Sequence, residues 1–573
     1  MSGLNLYSSN RMESLVTILA QIIKEPLSSP LDQEIIVIQN RGMERWLSMQ
    51  LAKELGIWAN CRYLFPNSFV QELFSIVIQD LPQHLLSEPQ YLAWKIMQTL
   101  PDHLHSVQFK PLSNYLSDSN PIKLFQLSKK IADLFDQYTV YRPEMIMQWE
   151  QDQQQNHWQA ILWRTLFNDD SIHLARLKQS LFKKLTETNI QEELFPQRVS
   201  IFGISALPPF HTDLFNALST VTEVNFFVLN PCAEYWDDIL SEKEITKLLN
   251  KNLKRRKKRI SETQLHLERG NTLLSSWGKY GRDFLARLHQ YSPEEYSFPI
   301  DNEKETLLAT VQSDILNLRE RGTPEYPPCE VTENDNSIQI HCCHSPMREV
   351  EVLYDNILNF FRSYPGLQPS DIVVMSPDIE TYAPYIDAVF GSVQDPALRI
   401  PYTLADRNIR VESTIAESFL TLLELPGSRF AVSSVIDLLE TREIQSAFSI
   451  SENDLPVIKK WISETGIRWG IDKHTKERLN LPPFDENTWS YGLNRLLMGY
   501  SLPSGDQFSF MDIAGYDHLE GSQSEILGNF LDFIEKLTEF MTYLEQDHTL
   551  IEWSEILIRY LNSFFKIDQD HQN

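Results

Sequence analysis

A chain of 573 residues is too long for one hydrophobic core and predicts several domains. With 78 acidic against 51 basic side chains, a formal charge of −27, it has no general attraction for nucleic acid; any such contact must be local, in a groove or tunnel. Five cysteines make no disulfide framework, no apolar run approaches a membrane span, and the opening MSGLNLYSSNRMES lacks the features of a secretory leader. An intracellular, reducing, cytoplasmic setting is therefore expected.

The chain opens as strand, loop and helix: residues 4–7, then Ser8-Ser9-Asn10-Arg11, then an amphipathic run over 12–23. A second unit follows, with a buried strand over 34–39 and a helix over 42–55. Residues 199–204 and 223–229 read as two more apolar strands with a helix between them. Strands separated by helices predict a parallel sheet with crossovers. Between the second and third of these strands, residues 68–196 read as almost wholly helical, an inserted domain. A second α/β unit starts near residue 338, with strands over 337–343 and 371–375 and helices over 347–361 and 382–390; from about 411 to 565 the pattern is helical again.

The expected domains are thus 1–67 plus 197–330 as a first α/β lobe, 68–196 as its helical insertion, 331–410 as the start of a second lobe, and 411–573 as a helical extension or insertion. By analogy of arrangement, this is an α/β fold of two superfamily-1 helicase-like lobes with helical insertions.

Within the inserted domain one stretch stands out, residues 124–143, LFQLSKKIADLFDQYTVYRP. Leu124, Leu127, Ile131, Leu134, Phe135 and Tyr138 recur on one helix face, and Asp133, Asp136 and Gln137 fall at i, i+3, i+4 on the other, with their polar tips side by side. Arg142 and Pro143 mark the stop. On spacing alone this is a surface helix with a solvated polar face.

The chemistry of a motor is missing. A helicase needs G-x-x-x-x-G-K-[ST] after its first strand, glycines for close backbone approach and a lysine on the phosphates. Here Ser8-Ser9-Asn10-Arg11-Met12-Glu13-Ser14 offers neither. The nearest imitation, Trp277-Gly278-Lys279-Tyr280-Gly281-Arg282, has tyrosine where magnesium needs a hydroxyl and follows no strand. The third strand ends in Gly203-Ile204-Ser205-Ala206 rather than paired acids. The scaffold reads as catalytically dead.

Other signals are weak. His341-Cys342-Cys343-His344 lies in an expected strand, whose neighbours face opposite sides and cannot converge on a metal. Asp512, Asp517 and Glu520 lack a lysine at nuclease spacing, and no G-x-S-x-G elbow occurs. The one strong basic run, residues 251–259 (KNLKRRKKR), reads equally as a phosphate contact and as a solvated loop tip.

Several collinear motifs carry a resemblance: Tyr7-Ser8-Ser9-Asn10-Arg11; Gln39-Asn40-Arg41-Gly42-Met43 with Trp46-Leu47; Gly56-Ile57-Trp58-Ala59-Asn60; residues 124–143; residues 202–209 with Asn230-Pro231-Cys232; LSSWGKYGRD over 274–283; Cys343-His344-Ser345-Pro346 with Arg348-Glu349-Val350; and SETGIRWGID over 463–472. In these the chain resembles the RecC family, the gamma subunit of the bacterial RecBCD enzyme (exodeoxyribonuclease V). The family is roughly twice this length, and its nuclease-like second half is not expected here.

The resemblance implies a non-catalytic subunit, in complex with RecB-like and RecD-like partners, that helps split duplex ends, channels the 3′-ended single strand and recognises the Chi sequence in double-strand break repair. It implies no cofactor in this chain, ATP and Mg2+ being used by the partners. Carried over residue by residue, it implies a Chi-reading role for Gln39, Asp133, Leu134, Asp136, Gln137 and Arg142. Aspartate can accept from a cytosine amino group and glutamine can pair with purine edges, whereas non-specific holding wants lysine, arginine and aromatics. At other channel positions the chain departs from the best-known pattern: Arg41 and Arg45 stand where smaller or amide side chains occur, Phe65 replaces an aliphatic, Gln71 an aromatic and Leu174 an arginine. Two added arginines beside Gln39 suggest an altered recognised sequence. Two other readings stay open, an active helicase with a degenerate motor and a purely structural scaffold.

Overall fold

The first strand, β1 (Gly3–Ser9), lies between two neighbours in a six-stranded parallel sheet of a computed structural model. The structure describes residues 3–29, 31–77, 88–117, 120–151, 157–167, 173–185, 194–256, 270–302, 305–405, 413–501, 509–510, 513–516, 518–519 and 521–566. They form two units, Met1–Gln339 and Ile340–Asn573.

In the first unit the strand order is β3-β2-β4-β5-β1-β6, with β2 (Glu34–Val37), β3 (Cys61–Leu64), β4 (Arg198–Phe202), β5 (Glu223–Leu229) and β6 (Glu294–Ser297). Successive strand residues face opposite ways, and both faces are covered, as a parallel sheet requires. Ile36, Phe202 and Phe227 pack on one side against Leu15, Val16 and Leu19 of α1 (Met12–Ile23) and Leu47 and Leu51 of α2 (Arg41–Leu55). Val37, Ile201 and Phe226 pack on the other side, against α3 (Pro66–Val77), α9 (Leu174–Leu185), α10 (Pro209–Leu218) and α13 (Lys279–His289). A buried ion pair locks the layers: Arg198 meets Glu34 while donating to the Ile22 and Glu25 carbonyls at 3.0 Å each. The strands expected over 4–7, 34–39, 199–204 and 223–229 all form, the last at its expected bounds and the others with ends moved by no more than two residues.

The sequence reading omits β3 and β6. Both are edge strands, and neither is buried at any residue; β6, Glu-Glu-Tyr-Ser, is exposed throughout. A four-residue edge strand, partly buried in β3 and exposed in β6, is too short for periodicity to detect.

The helical segment between β3 and β4 divides. Leu92, Ile96 and Leu100 of α4 (Pro89–His103), Ile131 and Phe135 of α6 (Pro121–Tyr141), Trp149 of α7 (Pro143–Gln151) and Trp163 of α8 (Trp158–Leu166) share one core. By contrast, α3 and α9 place Phe69, Phe74, Leu177 and Leu181 in the sheet's core. A short helix α5 (Lys110–Tyr115) completes the segment. Further on lie α11 (Glu242–Arg256), α12 (Thr272–Trp277) and α14 (Leu307–Leu316).

In the second unit, α15 (Pro346–Ser363) and α16 (Ile379–Phe390) form as expected and bury Val350, Ile357 and Phe390 against each other. The strands expected over 337–343 and 371–375 do not form. Both stretches lie outside any ladder of the described residues, with Ile340 87%, Val373 77% and Met375 89% exposed. Apolar β-branched runs favour a strand only where neighbouring strands supply the ladder and a cover, and here the described residues supply neither. The remainder is helical, built on a core that includes Trp461, Trp489, Phe530, Phe533, Phe540 and Phe564, with one antiparallel pair, β7 (Ser509–Phe510) and β8 (Ile513–Ala514). Asp512, Asp517 and Glu520 lie outside the described residues.

Candidate nucleic-acid interface

The residues singled out in the sequence fall into two groups on two scaffolds. The first gathers at the carboxyl ends of the neighbouring strands β2 and β3, the edge where open α/β sheets bind ligands. Beyond β2, Ile38 is still held in the ladder, its N–H donating to the Leu64 carbonyl at 3.0 Å, and the chain then emerges at Gln39, which is exposed. Asn40 caps α2, its Oδ1 accepting from the Met43 N–H at 2.8 Å. Arg41 and Arg45 follow, exposed and one turn apart in the first turns of α2. Two guanidiniums there add to the positive end of the helix dipole, so this edge attracts anions. Phe65, 39% exposed, leaves β3, and Gln71 is exposed on α3. Leu174 is half-buried at the start of α9 and packs against the sheet core.

The second group lies along α6. Asn120 caps this helix, accepting from the Ile122 N–H at 2.9 Å, and Pro121 fits its first turn. Phe135, fully buried, anchors it between the rings of Trp149 and Trp163, 6.3 and 5.3 Å away. That fixes the rotation of the helix, leaving Asp133 and Asp136 half-buried and Gln137 exposed. Leu134, assigned to the apolar stripe by spacing, is half-buried and outside that core. Val140, by contrast, packs into the sheet core, so the carboxyl-terminal turn of α6 is tied to the sheet. Arg142 ends the helix with its guanidinium 5.8 Å from the centre of the Tyr138 ring, and its carbonyl accepts from Met145 and Ile146 to start α7.

Burial, and then the neighbouring Asp133 and Glu88 charges, raise the Asp136 pKa above the ordinary carboxylate value. A face bearing two carboxylates repels phosphate but accepts hydrogen bonds from amino groups, the pattern of a base edge rather than of a backbone. Arg142 and the Arg41–Arg45 pair supply the positive counterpart.

Two features escape sequence reasoning. At the end of β1, where a nucleotide-binding lobe would hold phosphate, Ser9 Oγ donates to the Phe298 carbonyl at 2.7 Å. The Asn10 side chain exchanges hydrogen bonds with Ile300 at 2.8 and 2.9 Å. Behind Pro143 a cavity of about 690 Å3 opens between α7, α9 and α10. At its wall Asp213 receives hydrogen bonds from Lys178 Nζ at 2.8 Å, Arg287 Nη2 at 2.6 Å and the Tyr291 hydroxyl at 2.5 Å. Burial would raise the Asp213 pKa, but these three donors outweigh it and hold the carboxyl below its usual value. The partners lie 35, 74 and 78 residues from Asp213, so no local pattern could announce them. Among the described residues no group of three His, Cys, Asp or Glu side chains is gathered to hold a metal ion, and no helix is long and apolar enough to cross a membrane.

Comparison with known proteins adds the following. The family described as RecC, N-terminal domain, matches residues 4–318, and the RecBCD enzyme subunit RecC fourth domain matches residues 412–573. The chain is 37% identical to the RecBCD enzyme subunit RecC of Escherichia coli (strain K12), over 99% of this chain and 54% of that one. To the subunit of the same description from Haemophilus influenzae it is 35% identical, over 99% and 54%. To that of Mycolicibacterium smegmatis it is 28% identical, over 99% and 52%. The chain spans about half the length of the curated relatives it matches.

Proposed function

The chain belongs to the RecC family, and from that membership we propose that it is a DNA-handling, non-catalytic part of a RecBCD-type helicase–nuclease that acts in recombinational repair of broken DNA in the bacterial cytoplasm. Its partners are RecB-like and RecD-like subunits, which bring the ATP- and Mg2+-dependent motors and the nuclease. Its own two lobes are helicase-like scaffolds without ATPase chemistry. The first lobe's strand–loop–helix supports this, because Ser9 and Asn10 are committed to the carbonyls of Phe298 and Ile300 and no glycine lets the backbone approach a phosphate.

The 3′-ended single strand runs over α6 and the carboxyl edge of β2 and β3, where Gln39, Asp133, Leu134, Asp136, Gln137 and Arg142 read Chi, with Arg41, Arg45, Phe65 and Gln71 modifying the recognised sequence. The observation that carries this reading is the half-buried acidic face of α6, held in one rotation by Phe135. A partly desolvated carboxylate discriminates base edges more sharply than a solvated one, because an unmet partner leaves it unpaired. Two added arginines beside Gln39 favour guanine contacts, since arginine pairs bidentately with guanine.

The test is the Chi response of the assembled complex carrying Asp136→Ala with Gln137→Ala. Loss of the response with unwinding intact is expected. An unchanged response would leave only a scaffold role, and ATP hydrolysis by the purified chain alone would overturn the non-catalytic reading.

A further inference from the structure

The most exposed tryptophan and one of the most exposed tyrosines among the described large hydrophobic residues lie three residues apart, where α12 gives way to α13. Trp277 is 82% and Tyr280 78% exposed. They sit on a rigid base. Asn271 caps α12, accepting from the Leu274 N–H at 3.1 Å and donating to the Arg319 carbonyl at 2.8 Å. The helical hydrogen bonds continue through Gly278, whose N–H donates to the Leu274 carbonyl and whose carbonyl accepts from Arg282, each at 2.8 Å. A Cβ at Gly278 would lie 2.9 Å from the buried Trp236 ring, so the glycine allows this close seating. Trp277 closes α12 and Tyr280 lies in the first turn of α13, so the two exposed rings flank the Gly278 junction.

A basic stripe adjoins them. Lys243 and Lys247 are exposed one turn apart on α11. Glu244, on the flank of this stripe, joins α11 to α13: it takes a hydrogen bond from the buried Arg282 at 3.2 Å and lies 3.5 Å from Lys279 Nζ. Its other oxygen accepts from the Ser241 N–H and hydroxyl at 3.0 and 2.9 Å. Its charge is thus matched by Arg282, and Lys243, Lys247 and Lys279 outnumber the exposed carboxylates beside them by one. The exposed carboxylates of this neighbourhood are Glu242, at the start of α11, and Asp283, which lies 3.5 Å from Arg282 Nε.

We propose that Trp277 and Tyr280, with Lys243, Lys247 and Lys279, form a second binding site, for single-stranded nucleic acid, in which two bases stack on the rings and the lysines meet the phosphates. Rings beside a cationic groove are how sequence-tolerant single-strand sites are built. Exposed lysines argue against a protein partner, since lysine is depleted in protein interfaces while tryptophan and tyrosine are enriched. The opposite sign of this patch to the acidic body (−27 overall) focuses an anionic ligand here. The site uses no residue of α6 and does not rest on base reading there.

The experiment is fluorescence anisotropy of labelled oligo-dT, and of the matching RNA, with the purified chain. Trp277→Ala and Tyr280→Ala should each weaken binding about tenfold, and Tyr280→Phe, which keeps the ring, by less than twofold. Lys243→Glu with Lys247→Glu should flatten the dependence of log K on log salt by about 0.7 per lysine removed. Binding within twofold of the parent in both alanine variants would overturn the site, as would equal loss in Tyr280→Phe. Variants that bind oligo-dT normally but fail to join partner subunits would assign the face to protein instead and also overturn it. Asp136→Ala with Gln137→Ala, run alongside, should leave this binding unchanged.

Discussion

Asp213→Ala removes the acceptor that ties α9, α10 and α13 together beneath Pro143. Lys178 keeps only 8% of its surface exposed and would lose its ion-pair partner. Breaking a buried pair from one side costs about 3–5 kcal/mol. The rings of Phe182 and Phe210, 5.3 and 5.5 Å from the Lys178 ammonium, touch it in the parent as well and leave the difference unchanged, while the partial exposure of Asp213 puts the loss at the low end of that range. Arg287 stays solvated enough to lose little. The expected loss is thus about 3 kcal/mol. Because the chain has two units, the fitting assay is native-state hydrogen exchange of the α9 and α10 amides, which reads local opening energies without assuming one transition. Lys178→Met combined with Asp213→Leu removes both charges, and its cost should fall well below that of Asp213→Ala. A loss under about 1 kcal/mol in the single variant would show that Lys178 does not depend on Asp213, and so would a double variant as unstable as the single.

Two further outcomes follow from the same region and from α12. His211 is buried and hydrogen-bonded to Asn67 at 2.9 Å, and burial, reinforced by the Lys178 charge, pushes its pKa down to about 4. The unfolded chain therefore takes up a proton that the native state refuses: stability from His211 is full above pH 6.5 and is lost as pH falls through about 4. Over that window the parent should lose about 3 kcal/mol more than His211→Gln in the same exchange measurement, and parallel curves for the two would contradict it. Gly278→Ala should destabilise the α12–α13 junction by about 1–3 kcal/mol, because the added Cβ would lie 2.5 Å from the Leu274 carbonyl oxygen and 2.9 Å from the Trp236 ring; this would be seen as faster exchange of the Leu274 and Arg282 amides, and unchanged exchange there would show that the junction has room.

Periodicity finds the strands and helices whose burial is intrinsic to their residues. α1 forms over the residues read as its amphipathic run, and β5, with five consecutive buried residues, forms at its expected bounds. It fails for β3 and β6, edge strands of four residues each, too short for alternation to register; the contacts of Tyr63, Leu64 and Tyr296 with the sheet arise only once it is assembled. It fails in the other sense at 371–375, where an apolar run reads as a buried strand but Val373 and Met375 face solvent.

The α/β plan with a helical insertion, the missing phosphate loop and the polar face of α6 are legible in the residues, since each depends on residue type and near-neighbour spacing. The rest came from packing. It set the rotation of α6, through Phe135 wedged between two tryptophans, and seated α3 and α9 on the sheet rather than in the insertion. It also closed the loop after β1 onto residues 298–300 and assembled the charges around Asp213. These are meetings of side chains tens to hundreds of residues apart, which packing brings together and local chemistry cannot announce.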